Sequence, residues 1–416
     1  MATAADVLGG RALWAVDCGD ALAWARSLPP DSVHCVATSP PYWGLRDYGV
    51  EGQLGLEPTV GEYVEKLVAL FRELRRALHP SGVLWLNLGD TYATGAGSAS
   101  RPGGTRFGKH TAAIEAAAVP RSQPNRMRQP GLKPKDRVMV PARVALALQD
   151  DGWWLRDEVV WHKPAPMTLS VTDRTTPAHE MVYLLAKRRR YFFDPEAIKE
   201  PSASAGKPMP RAGGWAKDGR HDAVSHNRPG RQSGSVPTGE AVPATRRKRS
   251  VWRVATRPYK GAHFAVFPPE LVEPMVLAGT GAAGVCPACG EPWRRLTKRT
   301  RRPTRPGKDT KCLEKSDGDV RTAGTLGWNR PQVIGNRDPM RHCTLTETVG
   351  WEPGCGCGAG EPVPAVVLDP FAGSGTTLMV AARFGRRAVG CELNPDYLPL
   401  VRGRMATVTP NLPGAA

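Results

Sequence analysis

The residue pattern most suggestive of chemistry is a serine, two prolines and a tyrosine that follow a short apolar segment. Val33 to Ala37 predicts a buried strand, which must end at Pro40 because proline cannot donate to a sheet ladder. The Ser39 hydroxyl and the Pro40 carbonyl then offer two neighbouring hydrogen-bond acceptors, and Tyr42 offers a flat face. This arrangement fits a flat group with an exocyclic NH2, such as a nucleobase. The alternative is a strand end with a structural Pro-Pro turn.

A second pattern predicts a nucleotide-type binding unit. An apolar strand, Val366 to Leu368, leads into a glycine-rich turn and then a helix pattern that starts near Leu378. Glycines let a ligand approach the backbone, and the missing lysine argues against a triphosphate loop. The next predicted strand ends in Glu392, about 20 residues past the first glycine, where a carboxylate can bind both ribose hydroxyls. The pattern favours S-adenosylmethionine, an adenosyl ligand without phosphate, over a purely structural βαβ unit.

The two patterns together resemble the amino-group DNA methyltransferases, the N4-cytosine and N6-adenine enzymes. The catalytic motif of that family is Ser, Asp or Asn followed by Pro-Pro-Tyr, and the run from Asp369 to Thr377 is similar to its cofactor motif. Here the catalytic motif comes first by more than 300 residues, an order that resembles the beta class. The resemblance implies an α/β fold, a Rossmann-like methyltransferase with a mixed, mostly parallel sheet and circularly permuted motif order.

The resemblance also implies roles for individual residues. It assigns catalysis to Ser39, Pro40, Pro41 and Tyr42. It assigns cofactor binding to Asp20, Phe264, Phe267, Asp369, Pro370, Phe371, Gly373, Ser374, Gly375, Thr376 and Glu392. Asp20 has an alternative role as a helix N-cap, and the two phenylalanines before Pro268 have an alternative role in core packing.

Several further side chains are candidates for the target pocket. Asn87, Asp90 and Tyr92 follow a predicted buried strand and could line it or cap a turn. A loop from Pro166 to Thr176 resembles the family segment that embraces the flipped base. Its most suggestive members, in or beside the loop, are Trp161, Lys163 and Arg174, whereas His162 and His179 are expected to be structural.

For the reaction, the resemblance implies that a target base is flipped out of duplex DNA and stacks on Tyr42. Ser39 and Pro40 would accept both amine hydrogens, and the amine would attack the cofactor methyl without a covalent enzyme intermediate. Serine at the first motif position is most often found in N4-cytosine enzymes, so we expect cytosine N4, with adenine N6 as the alternative. A noncatalytic zinc-containing DNA-binding protein and an RNA or protein methylase are alternatives from other classes.

Two cysteine pairs predict a metal site. Cys286 and Cys289 form a Cys-x-x-Cys knuckle with a trailing glycine, and Cys355 and Cys357 supply two more thiolates. Four thiolates are the ligand set of a closed structural zinc site. A deaminase signature is missing, so catalytic zinc is not expected. The alternatives are unmetalled thiols, or substitution of a ligand by Cys312, His342 or Cys343.

Positive charge is concentrated in three segments. The formal net charge is +18, and residues 93–137, 201–250 and 294–311 hold nine, ten and nine Lys or Arg against two, three and one acids. Such Gly-, Pro- and Arg-rich segments cannot fold alone but suit a phosphate backbone. We expect double-stranded DNA as the partner, with solvated basic loops as the alternative. A cognate restriction endonuclease is a further candidate partner, and the sequence holds no signal for the oligomeric state.

The length of 416 residues allows one large α/β domain with insertions. We expect the methyltransferase domain in residues 1–92, which carry the catalytic motif, in 138–200, in 251–280, and in 362–408, which carry the cofactor motif. The expected interruptions are a basic flexible insertion at 93–137, a target-recognition segment at 201–250 and a Cys-rich zinc-binding insertion at 281–361. No apolar run approaches the roughly 20 residues that span a bilayer, and no signal pattern is visible. We expect a cytoplasmic protein with reduced cysteines.

Overall fold

The computed structural model describes residues 2–93, 129–166, 170–203, 205, 244–257, 267–303, 321–322 and 342–409. The chain divides into two compact units. The first unit contains Met1–Ala197, Arg249–Trp293 and Pro353–Ala416, and the second contains Ile198–Lys248 and Arg294–Glu352. The first unit therefore holds both sequence motifs and all four cysteines of the predicted metal site.

The first unit is built on one eight-stranded mixed sheet. In spatial order its strands are β1 (Trp14–Cys18), β13 (Arg387–Glu392), β12 (Val366–Asp369), β2 (Val33–Thr38), β3 (Leu78–Leu88), β5 (His179–Ala186), β4 (Trp154–His162) and β8 (Val251–Arg253). The first five strands pair in parallel, β5 runs antiparallel to its two neighbours, and β8 pairs in parallel with β4. The mixed, mostly parallel sheet expected from the sequence is confirmed.

Helices cover the two faces of this sheet. They are α1 (Ala4–Leu8), α2 (Ala21–Ser27), α3 (Val60–Ala77), α4 (Val140–Asp150), α5 (Pro269–Gly279), α6 (Thr376–Arg383) and α7 (Leu398–Met405). All six residues of β2 are buried, as expected for a central parallel strand covered on both faces. In α3, Thr59 caps the N-terminus and accepts from the Glu62 amide, while a stripe from Tyr63 to Leu74 faces the core.

The strand order explains how the catalytic and cofactor motifs, which are far apart in the chain, meet at one cavity. Strand β2, which leads into the catalytic motif, lies directly beside β12, which leads into the cofactor motif. The carboxyl ends of parallel strands meet at the same sheet edge, where open α/β sheets bind ligands. Thr38 and Asp369 are 331 positions apart, yet the Thr38 hydroxyl donates to Asp369 Oδ1 over 2.7 Å.

The second unit contains short strands and one long ribbon. Strand β9 (Arg294–Pro303) pairs antiparallel with β11 (His342–Glu352) and with β10 (Arg321–Thr322). Strands β6 (Glu200–Pro201) and β7 (Thr245–Arg246) form a separate pair. Much of the basic segments predicted at 93–137 and 201–250 lies outside the described residues. None of the helices that the structure describes has the length and apolar character needed to cross a membrane.

Candidate active site

A cavity of about 1180 Å³ opens at the carboxyl ends of the central parallel strands. Its wall is formed by the turns that follow β1, β2, β12 and β13 and by residues at the β4 and β5 ends. Both sequence motifs contribute to it. Residues from the catalytic motif in the wall are Ser39, Pro40, Pro41 and Tyr42, and residues from the cofactor motif are Pro370, Phe371, Gly373, Ser374, Thr376 and Glu392.

The catalytic motif is held by hydrogen bonds to two neighbouring strands. The Ser39 hydroxyl lies 3.3 Å from Asn87 Oδ1 and 3.4 Å from the Tyr42 hydroxyl. The Tyr42 hydroxyl in turn donates to Glu180 Oε2 over 2.8 Å. The Pro41 carbonyl accepts from the Tyr63 hydroxyl of α3 over 2.8 Å. The motif is therefore fixed before any ligand binds.

The Tyr42 ring depends on a glycine at the end of β3. A Cβ atom built on Gly89 would lie 2.3 Å from Tyr42 Cε2, closer than two nonbonded carbon atoms can approach. Burial, followed by the charge of Glu180, raises the pKa of Tyr42 well above its usual value. The phenol therefore stays neutral and keeps its hydroxyl as a donor. Sequence analysis did not single out Gly89, whose only signal was its position directly after a buried strand.

Lys163 and Glu180 form an ion pair in the wall of the same cavity. Glu180 lies opposite Trp161 in the register of β4 and β5. The Lys163 ammonium sits over the Trp161 ring, 4.4 Å from its centroid. The structure thus brings the predicted Trp161 and Lys163 into the same cavity wall as Tyr42. Glu180 was missed, although a carboxylate opening an otherwise apolar strand was a usable signal.

Other candidates for the target pocket lie elsewhere. Asp90 accepts from the Val140 amide at the start of α4 and pairs with Arg137 through its other oxygen, over 2.9 and 2.6 Å. Arg174 lies over the Tyr92 ring, 3.9 Å from its centroid. Neither Asp90, Tyr92 nor Arg174 lines the cavity. For Asp90 the structure therefore favours the capping alternative.

The cofactor loop is organised by two buried carboxylates. Asp369 Oδ1 accepts from the Thr38 hydroxyl and from the Phe371 amide, and burial raises the pKa of Asp369 to about 6. Glu392 accepts from the Gly373 amide over 2.7 Å through one oxygen and from the Asn394 amide over 2.9 Å through the other. Burial raises the pKa of Glu392 as well. Asp369 shapes the loop from behind, whereas Glu392 faces the cavity.

Gly375 lets the loop turn into α6. It has a φ of +80° and caps the helix, and a Cβ there would lie 2.9 Å from Val401 Cγ1. A left-handed conformation and close packing both require glycine at this position. Gly375 itself lies behind the cavity wall.

The remaining predicted cofactor residues divide into three cases. Asp20 caps α2, where its Oδ1 accepts from the Ala23 amide over 2.8 Å, and it also lines the cavity, so the N-cap role is observed and the role in cofactor binding stays a prediction. Phe267 lines the cavity. Phe264 lies outside the described residues.

The cavity has the chemistry that S-adenosylmethionine requires. Phe371 and Phe267 give it apolar wall area, and Glu392 offers carboxylate oxygens for a ribose. Arg46, from the loop after Tyr42, also lines the cavity, and its buried NH1 has no hydrogen-bond partner in the part of the chain that the structure describes. A ligand with oxygen or nitrogen acceptors would satisfy that atom.

The four cysteines meet at the opposite end of β2. The Sγ atoms of Cys286, Cys289, Cys355 and Cys357 all lie within 4.8 Å of one another. A tetrahedral zinc site with Zn–S bonds of about 2.3 Å places its sulfurs about 3.8 Å apart, so the donor set fits this metal. Of the substitutes considered from the sequence, Cys312 and the side chains of His342 and Cys343 lie outside the described part of the structure.

Two histidines seat this cysteine knuckle on the sheet. His34 of β2 accepts from the Val366 amide through Nδ1, so its Nε2 carries the proton that it donates to the Gly290 carbonyl over 3.1 Å. His79 Nε2 lies 3.0 Å from the Cys289 carbonyl, and the two rings stack with centroids 5.5 Å apart. Burial, with the neighbouring His79, lowers the pKa of His34 to about 3.

Known proteins are similar to this chain over most of its length. Residues 33–286 and 361–402 match the N6/N4 family model described as DNA methylase. The type II methyltransferases M.XycI of Xanthomonas campestris pv. cyanopsidis and M.Cfr9I of Citrobacter freundii are 34% and 33% identical over 93% of this chain and 86% of their own lengths. The solved structure of a putative DNA modification methylase from Thermus thermophilus, complexed with S-adenosyl-L-methionine, is 20% identical with a TM-score of 0.42, covering 95% of this chain and 93% of that one.

The sheet, the paired motifs and the shared cavity define a Rossmann-like methyltransferase. The family match and the relatives identify it further: the chain belongs to the N6/N4 DNA methylase family. It is an S-adenosylmethionine-dependent DNA methyltransferase, and the resemblance drawn from the two motifs is confirmed. The assignment as an enzyme argues against the noncatalytic alternative.

Proposed function

We propose that the protein methylates the exocyclic N4 of cytosine in double-stranded DNA after flipping the base into the cavity. The observation that carries the proposal is the serine at the start of the catalytic motif, held by Asn87 and Tyr42 in the cavity wall. The relatives M.XycI and M.Cfr9I are named type II methyltransferases, which supports action at a specific DNA site. Adenine N6 is the alternative, because both amines carry two hydrogens.

The residues of the chain act mainly by positioning. Tyr42 offers its ring to the flipped base while Gly89 and Glu180 fix the ring from behind and from the hydroxyl end. Ser39 Oγ and the Pro40 carbonyl accept the two amine hydrogens, which localises the nitrogen lone pair for direct attack. S-adenosylmethionine, when bound, supplies an electrophilic methyl on its sulfonium. Glu392 and the glycine loop orient the nucleoside part, so alignment supplies most of the rate.

Expression in a methylation-free host tests the target base. The genome is then sequenced by a method that distinguishes N4-methylcytosine from N6-methyladenine. We expect N4-methylcytosine at one short motif, loss of the mark in Ser39→Ala, and retention in Ser32→Ala, a half-buried serine before β2 whose hydroxyl donates to the Pro29 carbonyl. N6-methyladenine would overturn the choice of base and keep the site.

We also infer that the four clustered thiolates hold one structural zinc ion. Metal analysis of protein purified without chelator should give about one zinc per chain. Cys286→Ser with Cys289→Ser should abolish binding, whereas Cys18→Ser, an exposed thiol in β1, should leave it intact. Metal-free protein with an unchanged melting temperature would contradict the inference.

Two partners follow from this function. The basic segments at 201–250 and 294–311 are the proposed contacts to the DNA backbone, so affinity should fall steeply with salt. We further propose a cognate restriction endonuclease, because the relatives carry type II names. An endonuclease that cuts the mapped motif only in unmethylated DNA would identify it.

A further inference from the structure

The ion pair between Lys163 and Glu180 lies in the wall of the cavity that holds the proposed catalytic residues. Glu180 orients Tyr42 in the methyl transfer described above, whereas Lys163 has no role in it. Both side chains are mostly shielded, with exposed fractions of 21% and 17%. Two charges in a largely apolar cavity are costly to desolvate, so an ion pair that only stabilised the fold would be unfavourable here. This cost indicates that one of the two charges interacts with a bound ligand.

Contacts connect this pair directly to the place where the target amine must lie. Glu180 Oε2 accepts from the Tyr42 hydroxyl over 2.8 Å, and that hydroxyl is 3.4 Å from Ser39 Oγ. Lys163 bonds the other oxygen of the same carboxylate. Two side chains thus link the ammonium to Ser39, and both Lys163 and Ser39 line the cavity proposed to receive the base.

The chemistry of the base edge determines which group Lys163 can read. Once Ser39 and Pro40 accept the N4 hydrogens, the next polar atoms along cytosine are N3 and O2, and both are acceptors. Adenine presents N1 and then a C–H group, with no oxygen in the position of O2. A hydrogen that an ammonium directs at the O2 position therefore finds an acceptor in cytosine and none in adenine.

Asn87, whose amide is a second possible donor beside Ser39, is already engaged by the protein. The Asn87 amide nitrogen donates to the Met181 carbonyl over 3.1 Å, and its oxygen faces Ser39 and Tyr42. Lys163 is a flexible ammonium with three hydrogens, so it can keep Glu180 and still donate to a base. The Trp161 ring beneath it, 4.4 Å from the nitrogen, restricts where the ammonium can move.

We propose that Lys163, held by Glu180 and Trp161, donates a hydrogen bond to O2 of the flipped cytosine and so selects cytosine over adenine. The proposal rests on the N4-cytosine function stated above. Lys163 is then a specificity residue that contacts the substrate, and Glu180 is a positioning residue that also orients Tyr42.

A double cycle of enzyme and substrate variants tests the proposal. The substrates are duplexes with the mapped motif, with either cytosine or its 2-aminopyridine C-nucleoside analogue at the target; the analogue keeps the amine and the ring nitrogen but lacks O2. The enzymes are the wild type, Lys163→Met and, as a control, Arg72→Met, which removes the cation of an ion pair on α3. kcat/KM is measured for each combination.

Removal of O2 should lower kcat/KM of the wild type and of Arg72→Met about 10- to 100-fold, as expected for a hydrogen bond to a charged donor. The same change should have little effect on Lys163→Met. An equal loss in all three enzymes would overturn the proposal even if Lys163→Met is a poor enzyme, because a merely structural lysine gives no coupling to O2. A wild type that methylates only adenine would instead overturn the function on which the proposal rests, and the proposal with it.

Discussion

Side chains at this site hold one another in position through hydrogen bonds. Ser39, Asn87, Tyr42 and Glu180 form one hydrogen-bonded group, which joins the loop after β2 to strands β3 and β5. Such a group keeps the acceptors for the amine in place without reorganisation during the reaction. A residue without a functional group, Gly89, is also expected to be sensitive to replacement, because Tyr42 packs against it.

Replacement of Gly89 by alanine should displace the Tyr42 ring, because the new Cβ would overlap Cε2. We expect kcat/KM to fall about 100-fold, since a shift of about 1 Å at a reacting centre has this effect. Affinity for S-adenosylhomocysteine, measured by calorimetry, should be unchanged. Gly61→Ala is the matched control, as its Cβ would meet nothing closer than 3.7 Å. Full activity of Gly89→Ala would show that Tyr42 needs no fixed position.

At the scale of secondary structure, strand β2 connects the two motifs: it leads into the catalytic motif and pairs with β12, which leads into the cofactor motif. Its carboxyl end leads into Ser39, and its other end carries His34, which contacts both β12 and the cysteine knuckle. Neutral His34 makes one donor and one acceptor contact, and a second proton on its ring would break the bond from the Val366 amide. The contacts of His34 with β12 and with the cysteine knuckle should therefore depend on pH.

Acidification should weaken the protein through His34. Its pKa falls from 6.5 unfolded to about 3 folded, so His34 stabilises the fold above pH 6.5 and contributes less as the pH drops toward 3. Relative to His34→Gln, the free energy of unfolding of the wild type should fall by about 1.4 kcal/mol between pH 7.5 and 5.5. Chemical unfolding at each pH measures this difference. Parallel pH profiles of the two proteins would count against a neutral His34 in the fold.

At the scale of the whole molecule, the hydrophobic core belongs to the first unit alone among the described residues. The core cluster extends from Ala4 to Cys391 and includes no residue of 198–248 or 294–352. The chain leaves the first unit after Trp293 and returns at Pro353. A Cβ on Gly354 would lie 2.2 Å from the Pro292 carbonyl oxygen, so these two ends are in contact. A short linker can close this gap.

Replacement of residues 294–352 by a short Gly-Ser linker should leave the first unit folded. We expect the variant to bind S-adenosylhomocysteine and one zinc like the full chain, and to lose DNA methylation by on the order of 100-fold or more through lost phosphate contacts. Calorimetry, metal analysis and methyl transfer to the mapped site measure the three effects. Unchanged methylation would exclude 294–352 from DNA binding.

The sequence by itself determined the features that are local in the chain. Proline ends the strand before the catalytic motif, and the glycines and Glu392 define the cofactor turn within about 20 residues. The Cys-x-x-Cys knuckle is equally local. Each of these depends on spacing along the backbone, so one sequence is enough to predict it.

Only the tertiary structure decided which side chains complete the site. Asn87 was one of three equal candidates until the strand register placed it against Ser39. Glu180 and Gly89 reach Tyr42 across neighbouring strands, 138 positions away in the case of Glu180. Contacts of this kind depend on strand order and register, which the packing of the whole chain sets, and so the local sequence around each residue does not identify its partner.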